Sequence, residues 1–481
     1  MTRTMVRRRD VVALSICATT LLALPNPGAA QQVFTPPVPV QSADRFSGSV
    51  PTGEPTGEAL RLSLKDALER ALEYNLGLRE RDQDVRTARA TRLANLSALL
   101  PDVSGAVSVS RQKINLASLG FNLTIPGVNI PSVVGPFSVA DARVYVTQEI
   151  FNWSSIKHWK AAVAGEQASE YASKSGRELV TLVAGQAYLT VIADHAAVDA
   201  TRAQLTTAQA LYTRAVDQNR AGVIARIDAL RARVEQQTQQ QRLIAAENQL
   251  AVDKLILARV IGLPKGQVFE ISDSIPYAPL DGITLEQALA RALTTRPDYL
   301  GAKARVEEAE LRRAAAVAAN YPWLAANADY GGIGSPGFAA ARGTFNVGVT
   351  LTVPIFQGTR VKADTLEADS ALQQRKAELA DLDGAIDQQV RTAFLNLQSS
   401  SDLVTVAQSN VDLAGQTLEQ ARDRAAAGVA DSLDVVQAQE SVASATQAYI
   451  GSLYGYNLAK ISLAQAIGIA EESALHYLGA Q

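Results

Sequence analysis

The sequence predicts a mainly α fold with a membrane β part, built from one strand and long-helix repeat used twice. Three observations predict it: an internal duplication, two proline-free segments of roughly 70 residues with helical composition, and four stretches in which the apolar period switches from 3.6 to 2. Composition agrees. Of 481 residues 47% are apolar and 19% charged, which supports a sizeable core and excludes wholesale disorder. Aromatics are only 5%, so the apolar share falls on Ala, Leu and Val and favours helices over a sandwich.

Residues 1–30 carry Arg3, Arg7, Arg8 and Arg9 against Asp10, a net of +3, so the remainder of a chain of net −3 carries −6 (−3 less +3). That mild acidity, with no Lys/Arg cluster after residue 30, argues against a nucleic-acid binder. The basic start, the apolar run 11–24 and Gly28-Ala29-Ala30 before Gln31 read as a signal peptide over 1–30, too short to span a bilayer. Cys17 is the only cysteine; bulky Ile16 before it makes it a poor lipidation site, and the exported chain then holds no thiol. Residues 31–61, rich in Pro, Ser, Thr and Gly, read as a flexible leader.

The first repeat is expected over 62–262, a connector over 263–282, the second repeat over 283–468 and a tail over 469–481. Leu64, Ala67, Leu68, Arg70, Ala71 and Leu72 recur at an offset of 221 as Leu285, Ala288, Leu289, Arg291, Ala292 and Leu293. Ala221-Gly222-Val223 recurs at 206 as Ala427-Gly428-Val429, as do Asp228 and Asp434. The change of offset places a deletion of roughly 16 residues in the second copy. All eighteen prolines avoid 152–219 and 357–427. Each segment would make a helix roughly 100 Å long, wider than a compact domain. Hairpin tips near 219–226 and 426–432 lead into shorter helices over 226–260 and 432–467. A helical stretch precedes each strand pair and breaks at Asn75-Leu76 or Arg296-Pro297.

Strands are expected over 103–111, 142–151, 323–331 and 344–353. Val103, Val107 and Val109 alternate with Ser104, Ser108 and Ser110; Phe345, Val347, Val349 and Leu351 alternate with Thr344, Asn346 and Thr350. The lengths suit a tilted strand crossing a bilayer, apolar on one face. Residues 114–140 read as an outer loop, and Gly331-Gly332-Ile333-Gly334 as a turn in another. Phe151, Trp153, Trp159, Tyr321, Trp323 and Phe356 collect at strand and helix junctions, where a membrane-interface girdle would lie; the alternative is that they cap the core of a soluble domain.

These residues resemble the outer-membrane efflux protein family, the TolC-like channels. The resemblance runs from Leu62 to Ile469 and rests on the duplicated element order, on the junctions Gln148-Glu-Ile-Phe-Asn-Trp153 and Val353-Pro-Ile-Phe-Gln-Gly358, and on the hairpin motifs 220–230 and 426–436. It implies a homotrimer forming a 12-stranded β-barrel in outer-membrane lipid plus a periplasmic α-helical tunnel. It also implies a periplasmic adaptor (membrane fusion) protein meeting Gly222, Val223, Gly428 and Val429, and an inner-membrane pump. The function implied is an exit duct for efflux or type I secretion, with a coiled-coil structural or adhesive envelope protein as the alternative.

In that family acids one turn apart after the second hairpin ring the tunnel's narrow end. Asp434 matches the first such position, Gln437 stands at the next, and Asp431 is explained equally by helix N-terminal charge. Asp228 is a candidate tip closure with Arg226, Arg231 or Arg424. No catalytic, metal or cofactor site is expected. His158 and His195 would lie roughly 55 Å apart on one helix, His476 is remote, and no Gly-rich phosphate loop follows a strand.

Overall fold

The computed structural model describes residues 44–120, 131–273, 277–280, 282–336, 341–427, 429 and 432–478. The first repeat comprises β1 (Leu60–Leu62), α1 (Leu64–Tyr74), α2 (Leu76–Ser97), β2 (Asp102–Asn115), β3 (Val133–Phe151), α3 (Trp153–Arg220) and α4 (Arg226–Val260). After β4 (Phe269–Ile271) the second comprises α5 (Leu285–Thr295), α6 (Pro297–Ala318), β5 (Trp323–Gly334), β6 (Arg342–Thr352), α7 (Arg360–Ala426) and α8 (Ser432–Ile467), followed by α9 (Ala470–Leu478).

Local chemistry starts each repeat alike. Ser63 and Asp66 form a capping box on α1, and Thr284 and Gln287 form its counterpart on α5, so the exposed first-turn amides are satisfied reciprocally. Asn152 caps α3 by accepting from the amides of Ser154 and Ser155. With no proline inside them, α3 and α7 run uninterrupted for 68 and 67 residues. α3 packs against α2, α4, α6, α8 and α9, and α7 against α5, α6 and α8.

Large apolar side chains concentrate at two places. Phe46, Leu62, Leu64, Tyr188, Leu257, Ile261, Phe269 and Ile461 form one core around the middle of α3. Ala292, Ile386, Val390, Leu463, Ile467 and Ile469 form the second around the middle of α7. Away from these cores the buried residues of α3 are mostly alanine (Ala161, Ala162, Ala164, Ala168), which permits the close helix spacing of a thin wall.

Four expectations need correction. The leader is held from Asp44 onward: Phe46 is 5% exposed in the first core, Asn75 Nδ2 donates to its carbonyl at 2.6 Å, and β1 pairs in parallel with β4 in the connector. One buried phenylalanine and a three-residue strand tie the segment down yet leave no period to read. The tail contains α9, with Ala470, Ala474 and Leu478 buried and the Ala470 amide donating to the Glu178 carboxylate. The outer loop is shorter than expected, because β2 and β3 pair as far as Asn115 and Val133 across a bulge between Gln112 and Ile114. Gly331, Gly332 and Gly334 lie inside β5, not in a turn.

Candidate channel surfaces: sheet, junctions and hairpin tips

The four strands form one antiparallel sheet in the order β2-β3-β5-β6. Its register sorts the side chains. Val103, Val146, Ala328 and Val347 share one row, and Gly105, Val144, Tyr330 and Phe345 the next on the same face. Val107, Val109, Tyr330, Phe345, Val347, Val349 and Leu351 on that face are each more than 60% exposed. A continuous exposed apolar patch of this size is foreign to a water-facing sheet and suits hydrocarbon. The opposite face carries rows such as Ser104, Tyr145, Asp329 and Asn346. β2 and β6 are the sheet's edges and have no strand partner among the described residues.

On the polar face Arg143 donates from Nε to Asp141 Oδ1 at 2.8 Å and from Nη1 to Asp329 Oδ1 at 3.0 Å. Gly331 stands directly opposite Arg143. A Cβ there would sit 2.1 Å from the Ala142 carbonyl oxygen and 2.6 Å from Arg143 Cα, so the close backbone approach requires glycine. The sequence had marked these glycines only as a turn. Charged residues at polar-face positions of a strand were the signal for the trio, but the pairing of residues 186 apart follows only from the register.

The aromatic residues sit where the sheet meets the helices. Phe151 and Trp153 have ring centroids 6.1 Å apart, and Lys157 Nζ lies 5.2 Å from the Trp153 ring. Tyr321, Phe151, Trp153 and Phe356 are exposed, the last at 88%, while Trp159 and Trp323 are half-buried. Ser154 Oγ donates to the Ala315 carbonyl at 2.9 Å, and Gln357 Nε2 to the Ala319 carbonyl at 3.2 Å, so both junctions are fixed to the end of α6. Among the described helices α3 has an 18-residue window apolar enough to cross a bilayer, but 39% of that window is already buried in the protein. The exposed sheet face is therefore the better membrane element.

The first hairpin turns through a Schellman motif. The Gly222 amide donates to the Asn219 carbonyl at 3.0 Å and the Val223 amide to the Gln218 carbonyl at 2.9 Å, with Gly222 at φ +74°. Asn219 Nδ2 ties the loop by donating to the Ile224 carbonyl at 2.9 Å. In the second hairpin the Val429 amide donates to the Arg424 carbonyl at 2.9 Å, the same reach around the helix end. Gly428 and Asp431 lie outside the described residues. Val223 and Val429 are 69% and 70% exposed. A shallow groove of about 590 Å³ beside the first tip is lined by Ala210, Thr213, Asp217, Gln218 and Val223 among others.

Asp434 and Gln437 are both exposed on the first turns of α8, whereas Val435, Ala438 and Gln439 are buried on its other side. Asp228 accepts from Arg231 Nη1 at 3.5 Å and its side chain is only 17% exposed. Arg226 and Arg424, the other suggested partners, are exposed and enter no side-chain ion pair among the described residues. Farther from the tip Arg242 makes a two-pronged contact with Glu440, both bonds at 2.8 Å, joining α4 to α8. His195 pairs with Asp199 on an exposed helix face, and no group of three or more metal-ligating side chains occurs among the described residues.

A profile of the family described as outer membrane efflux protein matches residues 67–263 and 288–469. The pyoverdine export outer membrane protein OpmQ of Pseudomonas aeruginosa is 27% identical, with 84% of this chain and 85% of that protein covered. TolC of Escherichia coli is 22% identical, covering 70% and 71%. Among solved structures, the outer membrane protein VceC of Vibrio cholerae aligns with a TM-score of 0.71 at 18% identity, covering 84% of this chain and 96% of that one. The open state of the Neisseria gonorrhoeae MtrE outer membrane channel aligns at 0.69 with 19% identity, covering 88% and 95%.

Proposed function

This chain belongs to the outer membrane efflux protein family, and from that premise we propose how its parts work. The protein is an outer-membrane exit duct of a tripartite efflux or type I secretion system, with its helical tunnel in the periplasm. Three copies pair β6 of one with β2 of the next and close twelve strands around a lumen. Lipid forces that closure, because an open sheet edge leaves backbone donors and acceptors unsatisfied in hydrocarbon. The observation that carries the reading is the sheet itself, apolar and exposed on one face, polar on the other, and with no strand partner at either edge among the described residues.

The tips around Gly222 and Gly428 meet a periplasmic adaptor, and their exposed valines supply the apolar contact that such docking needs. The adaptor links the duct to an inner-membrane pump. Asp434, with Gln437 and Asp431, lines the tunnel's narrow end, and threefold symmetry turns one exposed carboxylate into three around an axis. Asp228 braces the first tip through Arg231. The girdle residues set the depth of the sheet in the bilayer.

The test is fractionation followed by gel migration. The mature protein should occur in outer-membrane fractions as a heat-modifiable trimer, and a soluble periplasmic monomer would refute the reading. A cysteine at Gly222, in an exported chain without other thiols, should cross-link to one adaptor partner.

A further inference from the structure

Six charged side chains occupy the polar face of the sheet: Asp102 on β2, Asp141, Arg143 and Glu149 on β3, Asp329 on β5 and Arg342 on β6. Four are acidic and two basic, so the face has a formal charge of −2 per chain. The opposite face, up to the bulge after Gln112, carries Arg111 alone. Charge is therefore sorted to one side of the sheet as completely as apolarity is to the other.

Arg143 differs from a loose surface arginine in three ways. Its guanidinium is held by two carboxylates, one on its own strand and one on the neighbour. The side chains of Arg143 and Asp141 are each 24% exposed and that of Asp329 11%. Gly331 clears the space beside its backbone. A side chain so fixed keeps its charge at one height and one radius. A pore senses such a fixed charge most strongly, because rings of charged side chains set which ions enter.

We propose that Arg143, braced by Asp141 and Asp329, is a selectivity-determining residue of the barrel lumen. In the trimer the trio becomes a belt of three guanidiniums and six carboxylates with net negative charge. The belt favours cations, and Arg143 limits how strongly. The proposal rests on the trimeric-duct reading given above and concerns the outer-membrane half of the path, apart from the constriction at the periplasmic end.

The experiment measures reversal potentials of purified full-length trimers in planar bilayers under a potassium chloride gradient. An Asp434→Asn parent is used so that the periplasmic carboxylate does not contribute. Arg143→Gln should raise the cation-to-anion permeability ratio a few-fold, and Asp141→Asn with Asp329→Asn should lower it toward unity. Arg143→Lys, which keeps the charge, should leave it near the parent's value. A role confined to tying β3 to β5 would move both neutralised variants in the same direction, or neither, and that outcome overturns the proposal. If Arg143→Gln yields no trimers, Asp141→Asn alone decides: a lowered ratio supports the belt and an unchanged one removes it. A protein that fractionates as a soluble periplasmic monomer would refute the duct reading itself, a result distinct from any of these.

Discussion

Lys460 offers the sharpest energetic test of the helical wall. It is 0% exposed on α8 within the second half of the chain, its Nζ has no hydrogen-bond partner among the described residues, and its one charged-group contact is the Tyr456 ring, 4.8 Å from Nζ. Burial depresses the ammonium from 10.5 to about 8. At pH 7 the group is protonated in both folded and unfolded chains, so that depression costs folding about 3 kcal/mol as an upper figure. The cation–π contact returns about 1 to 2 kcal/mol. Lys460→Met keeps the chain length and removes the charge, so the variant should be about 1 to 2 kcal/mol per chain more stable at pH 7.

The pH dependence fixes the sign. A lysine whose folded pKa is lowered leaves the unfolded chain holding more protons between about 8 and 10.5, so wild-type stability rises with pH across that window. The gap to Lys460→Met should therefore be widest at pH 7 and should narrow by pH 9.5. Urea unfolding of detergent-solubilised protein, followed by helical circular dichroism at the two pH values, measures it. A Met variant less stable than wild type at pH 7, or a gap that ignores pH, would show that the ammonium is solvated or paired. Because Lys460 is already inaccessible in one chain, trimer assembly cannot supply that partner.

Three further outcomes bear on function. Val347→Arg, in the middle of β6 on the apolar face and 72% exposed in the single chain, should cost about 2 to 4 kcal/mol if it sits near the bilayer midplane; trimer yield in outer-membrane extracts reads this. Gly222→Leu with Gly428→Leu should abolish export while trimers persist, because φ +74° at Gly222 is strained for a side chain even with open space around it; unchanged export would remove the tips from docking. Asp434→Asn should weaken cation selectivity in bilayer recordings, and if it leaves selectivity unchanged, Gln437 or Asp431 takes its place as the test position.

What the sequence disclosed is what local physics decides. Helix α4 runs from Arg226 and α8 from Ser432, as the spacing after each Ala-Gly-Val break predicts, because a turn residue and helix-forming composition act within a few residues. Alternation likewise placed Val347 and Asn346 on opposite faces. Hidden were features that need a partner far along the chain or too few residues to form a pattern: Phe46 in the first core, β1 against β4, and Arg143 between Asp141 and Asp329. Lys460 was equally illegible, since a lysine in an amphipathic helix ordinarily marks the wet side.

The duplication sharpens this division between backbone and side chain. Asn75 and Arg296 occupy the same break in the two repeats, and both are buried. Asn75 Nδ2 donates to the Phe46 carbonyl, a residue of the segment before β1, while Arg296 Nη1 donates to the Ala466 carbonyl at 3.0 Å, at the end of α8. The tips diverge in the same way. Asn219 stitches the first loop to Ile224, but the matching position of the second repeat is Ala425, which has no side-chain donor. Asp228 is largely covered and faces Arg231, whereas its counterpart Asp434 is exposed. A repeat therefore transmits the path of the backbone, because that follows from turns and periods each copy retains. It does not transmit the task of a side chain, because the neighbours that define the task differ between the copies, Phe46 ahead of the first repeat for Asn75 and Ala466 within the second for Arg296. One hairpin can thus cover its aspartate against Arg231 while its twin leaves the matching aspartate exposed, with no change in the helix–turn–helix path of either.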